Sequence, residues 1–110
     1  MAESRRKQLQ HLLEDLLGGD TDPTKKLNVY FQPSDDAQMH YPCIVYARDI
    51  TSRKSADNIT YSWRQRYQVT YIDYNPDSDV IDALMEFPYS RSDRHFATSG
   101  LNHDVFVIYH

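Results

Sequence analysis

Glycine is scarce in this chain, with three among 110 residues. Two of them stand together at Gly18 and Gly19, so no glycine-rich loop is left to cradle a phosphate. There is no Gly-x-Ser-x-Gly elbow to expose a nucleophilic serine either. The single cysteine, Cys43, excludes an internal disulfide. It follows Pro42 and opens the apolar run Cys43-Ile44-Val45-Tyr46, which reads as a small buried hydrophobe. A reactive thiol needs a histidine partner and an electropositive pocket, and the local sequence supplies neither. Long apolar runs are also missing. Nothing approaches the roughly 20 residues of a membrane span. The leucines of the first 17 residues are interrupted by Glu14 and Asp15, unlike the continuous apolar region of a signal peptide. Finally, a basic excess is missing: the net charge is -4. That argues against a surface that grips phosphate over its whole extent. The expectation is a chain made and kept in a reducing cytoplasm, with no membrane partner.

What is present suits one globular domain spanning residues 1–110. The hydrophobic share is 40% and the charged share 25%, both ordinary for a folded chain. Leu9, Leu12, Leu13, Leu16 and Leu17 recur at helical spacing, which predicts an amphipathic helix stopped by Gly18-Gly19. Residues 18–26 form a turn-rich connector. A strand follows over 27–32, with Leu27, Val29 and Phe31 on one face, and Pro33 ends it. Residues 34–41 are a polar loop, and Pro42 introduces a strand over 43–48. Residues 49–60 carry no core pattern and suit a long hairpin or loop. The longest strand candidate spans 61–74. There Tyr67, Val69 and Tyr71 share one face, while Gln68 and Thr70 point to the other. Asn75-Pro76-Asp77-Ser78 starts a second helix, in which Val80, Ile81, Leu84 and Met85 form the stripe and Pro88 follows the end. Ser99-Gly100 turns the chain into a last strand over 105–109. The order is α-β-β-β-α-β, with an extra short strand near Phe96 left open. The fold class is α+β, a mainly antiparallel sheet with two helices packed on one face.

Chemistry-bearing residues are few. Asp93, His95, His103 and Asp104 lie close in sequence, and a hydrolase built on His95 and His103 with a bound metal is one reading. No ligand spacing typical of zinc supports it, and His103-Asp104 after Asn102 reads as turn chemistry. Asp77, Asp79 and Asp82 complement a helix dipole. No catalytic, cofactor or metal residue is assigned. The nine tyrosines and Trp63 are too many for a small core to hide, and aromatic side chains favour protein interfaces. The second face of the sheet is therefore a candidate contact surface. The basic run Arg48, Arg53, Lys54, Arg64 and Arg66, interleaved with Tyr61 and Trp63, suits either a solvated hairpin or a small nucleic-acid-binding module.

Several runs together resemble a known family. They are Tyr41-Pro42-Cys43-Ile44-Val45-Tyr46, Ser55-Ala56-Asp57-Asn58 and Arg66-Tyr67-Gln68-Val69-Thr70. Further along are Asp73-Tyr74-Asn75-Pro76-Asp77-Ser78, Ser92-Asp93-Arg94-His95-Phe96 and Leu101-Asn102-His103-Asp104-Val105-Phe106. In this order they are similar to the tail-completion, or tail-terminator, proteins of tailed bacteriophages. The resemblance implies a structural neck protein of the virion, assembled in the host cytoplasm, without cofactor or active site. It implies a hexameric ring that caps the tail tube protein, offers a docking surface to the head-closure or neck protein, and encloses a channel through which DNA passes without specific binding. A head-closure or adaptor protein on the portal side is the alternative within the neck. A ring needs two different surfaces per subunit. The candidate subunit-interface residues are Leu9 and Leu13 on the leucine helix, with Tyr61, Trp63, Arg64 and Arg66 on the aromatic and basic hairpin.

Overall fold

In the computed structural model, residues 5–18, 28–34, 38–49 and 65–110 are described. The leucine spacing produces α1, Arg5–Leu16. It ends where Gly18 adopts φ 104°, with the Gly18 N–H donating to the Asp15 carbonyl. Leu9 and Leu13 are fully buried and Leu17 nearly so, whereas Leu12 is 43% exposed. The stripe is thus narrower than its spacing suggests, and Leu12 is left on the surface.

Three strands precede the second helix: β1 (Val29–Phe31), β2 (Cys43–Arg48) and β3 (Arg66–Asp73). Helix α2 spans Asp79–Met85. Ser78 caps it, its hydroxyl oxygen accepting the Val80 N–H at 3.2 Å. Leu84 is its buried anchor, while Met85 is 54% exposed and so lies outside the stripe assigned to it. Two long strands follow, β4 (Ser90–Thr98) and β5 (Leu101–Tyr109). Here the structure corrects the sequence reading. The region near Phe96 is a full nine-residue strand, and β5 begins at Leu101 rather than Val105. Residues 102–104, which look like turn chemistry, are ladder residues paired to both neighbours. Ser99 and Gly100, with φ of 52° and 78°, make a two-residue turn of the kind that matches strand twist.

The sheet order is β1-β2-β3-β5-β4. Only β1 and β2 run parallel; all other neighbours are antiparallel. The fold is α+β, and both helices cover one face. That face presents Val29, Ile44, Tyr46, Tyr67, Val69, Tyr71, Phe106 and Ile108 to Leu9, Leu13, Leu17 and Leu84. Each fully buried aliphatic side chain there stabilises the fold by roughly 1.5–3 kcal/mol. Helix α1 lies against β1, α2 lies against β4, and the two helices touch each other. Strand parity sends Cys43, Ile72, Val105 and Val107 to the reverse face, and these too are at most 5% exposed. Among the described residues, no helix is long and apolar enough to cross a membrane.

Candidate assembly surfaces

Of the eight described tyrosines, three are core residues, while Tyr74 and Tyr89 are exposed and Tyr30, Tyr41 and Tyr109 half-buried. Tyr46, Tyr67 and Tyr71 lie on the helix-covered face and are at most 2% exposed. The rings pack inside, and the Tyr46 and Tyr71 hydroxyls reach polar groups at the rim. The Tyr46 hydroxyl donates to Gln10 Oε1 at 2.5 Å and accepts from Arg6 Nη1 at 3.5 Å. Burial raises its pKa, partly offset by the Arg6 contact. The Tyr71 hydroxyl donates to Asp73 Oδ2 at 2.6 Å and stands 3.0 Å from Ser78 Oγ. Burial and the Asp73 carboxylate raise its pKa. Cys43 is likewise inert: burial first, then the Asp73 charge, pushes its thiol up to about 12.

The candidate interface residues separate into three groups. Leu9 and Leu13 have no exposed surface. They are claimed by the chain's own core, because the helix must bury its stripe against the sheet, and they are not contacts for a neighbour. Tyr61, Trp63 and Arg64 lie outside the described residues, as does nearly all of the 49–60 connection. Arg66 opens β3, where its Nε stands 3.1 Å from Asp49 Oδ2, an ion pair by distance whose N–H does not point at that oxygen.

The histidines do not converge. In the register, His95 faces Asp104 and Phe96 faces His103, so the two imidazoles project to opposite sides of the hairpin. His95 Nδ1 lies 2.9 Å from Asp104 Oδ1. His103 instead stacks on Phe96, with centroids 4.6 Å apart and planes 13° from parallel. Among the described residues, no group of three or more His, Cys, Asp and Glu is placed to hold a metal ion. A pocket of about 290 Å³ opens between Arg5, Gln8, Leu12, Phe87, Tyr89 and Tyr109. Its walls are largely aromatic and aliphatic, with no Asp, Glu or Cys side chain among the described residues that line it.

The surface that sequence reasoning missed lies at the β1 corner. Arg6 comes from α1 and Arg48 from the end of β2. Their guanidinium carbons stand 4.7 Å and 5.5 Å from the centroid of the Phe31 ring, within cation–π range. Among the described residues, neither guanidinium has a carboxylate within ion-pair distance. The two arginines are 42 positions apart in the chain, and only the parallel pairing of Phe31 with Tyr46 brings them together. No spacing rule would have found them.

The opposite edge is built differently. Strand β4 is exposed along almost its whole length, and among the described residues only β5 pairs with it. A register shift between Ser92 and Arg94 interrupts the ladder. With Arg91 and Arg94 close by, such a bulge is a common guard against indiscriminate strand pairing. Comparison with protein-family models, with curated proteins and with solved structures returns no match at any of the three.

Proposed function

We propose that this chain is a structural subunit of a tailed-bacteriophage neck, forming a ring that terminates the tail tube and joins the tail to the head around a DNA channel. The observation that carries this reading is the open sheet. Among the described residues, β1 and β4 each pair on one side only, and different helices flank the two edges. Each subunit therefore offers two unlike lateral surfaces, which is what head-to-tail closure of a ring requires. The resemblance to tail terminators narrows the class. Four of its six runs fall on structural joints: the start of β2, the Tyr71–Asp73–Ser78 turn into α2, the β4 bulge and the start of β5. The partners are further copies of the chain, the tail tube protein and the head-closure protein, and the location is the virion neck.

Electron micrographs of particles made when the gene is disrupted test this. Overlong or unjoined tails beside DNA-filled heads are expected. Heads that lose DNA beside tails of normal length would move the protein to the portal side of the neck. Normal infectious particles would overturn the reading.

A further inference from the structure

The β1 corner holds two guanidinium groups that no carboxylate among the described residues neutralises. Their central carbons, from Arg6 and Arg48, lie 4.7 Å and 5.5 Å from the Phe31 centroid. Among the described residues, the one hydrogen bond to either group is the 3.5 Å contact from Arg6 Nη1 to the Tyr46 hydroxyl. The nearby carboxylates are engaged elsewhere. Asp49, next to Arg48 in the chain, stands 3.1 Å from Arg66 Nε. Glu14, about two turns further along α1, accepts from Gln10 Nε2 at 2.9 Å and lies 3.3 Å from His11 Nδ1. Two like charges held beside one ring repel each other, and an anion beside them removes that cost.

Separate features hold the corner in place. Gln32, just past β1, has φ 45°, an uncommon conformation for a residue with a side chain. Its N–H donates to the Tyr46 carbonyl at 2.9 Å, and its Oε1 accepts the Arg48 N–H at 3.2 Å. Those two bonds fix the backbone of Arg48 beside Phe31. Arg6 sits in the first turn of α1, where the helix dipole disfavours a cation. The stability of the helix therefore does not account for Arg6, whereas an anion there is favoured by the dipole and the guanidinium together.

Crowding around Phe31 selects the kind of anion. The Tyr46 ring stands 4.9 Å away at 44°, so with two guanidinium groups also beside it Phe31 has little face left for a stacked base. Single-stranded nucleic acid is held by stacking platforms along a basic groove, and this chain carries a net charge of -4. A guanidinium fork instead matches the two oxygens of a carboxylate. We propose that the Arg6–Phe31–Arg48 corner is a docking site for an acidic segment of another protein, whose side-chain carboxylates accept hydrogen bonds from the two guanidinium groups. Both groups are already held against an aromatic ring, so little side-chain freedom is lost when the carboxylates arrive. The inference names a contact chemistry and does not depend on the ring reading.

Fluorescence anisotropy of a labelled hexaglutamate peptide, titrated with the full chain at low and at high salt, tests it. Binding is expected, and it should weaken as salt screens the charges. Arg6→Gln and Arg48→Gln should each weaken it roughly tenfold or more. Phe31→Leu should weaken it roughly threefold at unchanged charge, because the ring contacts that hold the guanidinium groups are lost. Arg91→Gln, on the exposed strand β4, removes the same charge elsewhere and should leave binding unchanged. Arg48 is exposed, so its variant serves if the Arg6 or Phe31 variant fails to fold by circular dichroism. Absence of peptide binding at millimolar chain concentration overturns the inference. So does a loss in Arg91→Gln equal to that in Arg48→Gln, which would reduce the effect to overall charge. Two further results would also overturn it. Tighter binding of an oligothymidylate, lost in Arg48→Gln, would assign the corner to phosphate. Self-association of the chain that Arg48→Gln abolishes would assign it to a second copy.

Discussion

The Tyr71 hydroxyl donates a 2.6 Å hydrogen bond to Asp73 Oδ2, two residues further along the same strand and on the same face. Ser78 Oγ lies 3.0 Å from the same hydroxyl and accepts the Val80 N–H. Asp73 Oδ1 in turn accepts the Asn75 N–H. A continuous chain of bonds therefore runs from the start of α2 into the end of β3, and it fixes the turn between them.

Removing the middle of that chain should be costly. Tyr71→Phe keeps the buried ring but strips the partner from Asp73 and Ser78. It should lower stability by about 1–2 kcal/mol in urea denaturation. Ser78→Ala loses the cap as well as the relay and should cost about 1 kcal/mol or more. The double variant should cost less than the sum, because the two residues share one network.

Leu13→Ala should cost about 2–5 kcal/mol, with a urea midpoint that does not depend on protein concentration. A leucine at a subunit contact would instead show its loss as a concentration-dependent transition. Unfolding curves at two widely separated concentrations distinguish the cases.

Stability should fall on the alkaline side. Burial, then the Asp73 charge, moves Cys43 from 9.0 up to about 12, and burial raises Tyr46 and Tyr71 above 10.0. All three become anions on losing a proton, and the unfolded chain loses it first. Their contribution is complete below about pH 9 and is lost as pH rises towards 12. Urea midpoints measured upward from neutral pH should decline across that window. Cys43→Ala should remove the earliest part of the decline and leave the part that begins near pH 10.

The β4–β5 turn offers a backbone test. A Cβ added at Gly100 would meet nothing within 4 Å, so Gly100→Ala carries no clash. It should still cost roughly 1 kcal/mol, because φ is 78° there. Ser99→Asn should raise stability slightly, since asparagine tolerates the left-handed region better and Asn-Gly is the preferred pair for this turn. Thermal melts of both variants would check the pair of signs.

The parts of the fold legible in the sequence are those with a strong period. The spacing of Leu9, Leu13 and Leu17 and the alternation of Tyr67, Val69 and Tyr71 declare which face is inside. Strand β4 was not legible. Ser90 to Thr98 is polar on both sides because both sides meet solvent, and the ladder with β5 imposes its extended form rather than any pattern of its own. The same pairing hid the start of β5, where Asn102-His103-Asp104 carries turn-like residue types. Tyrosine count pointed to a surface, but a phenol can bury its ring and still satisfy its hydroxyl at the rim, as Tyr46 does through Gln10 and Arg6. The arginine corner was invisible because it depends on a parallel contact between distant segments.

Burial on both sides of β2 and of part of β5 changes what keeps them aligned. In a sheet with one wet face, a slip of one residue throws the whole apolar set into water. In β2 and the second half of β5, residues of opposite parity are also apolar, and Cys43, Val105 and Val107 are covered, whereas β3 keeps Gln68 and Thr70 on that side. A slip of β2 or of that half of β5 exchanges one greasy surface for another. The correct alignment is marked instead by polar details gathered at one end of the sheet: the Ser99–Gly100 turn, the His95–Asp104 contact, and the Asn102 amide that donates to the Asp73 and Tyr74 carbonyls at 3.4 and 3.2 Å. Exposed or half-buried and individually weak, these residues add little to the strength of the sheet, yet they favour the correct pairing over one slipped by a residue.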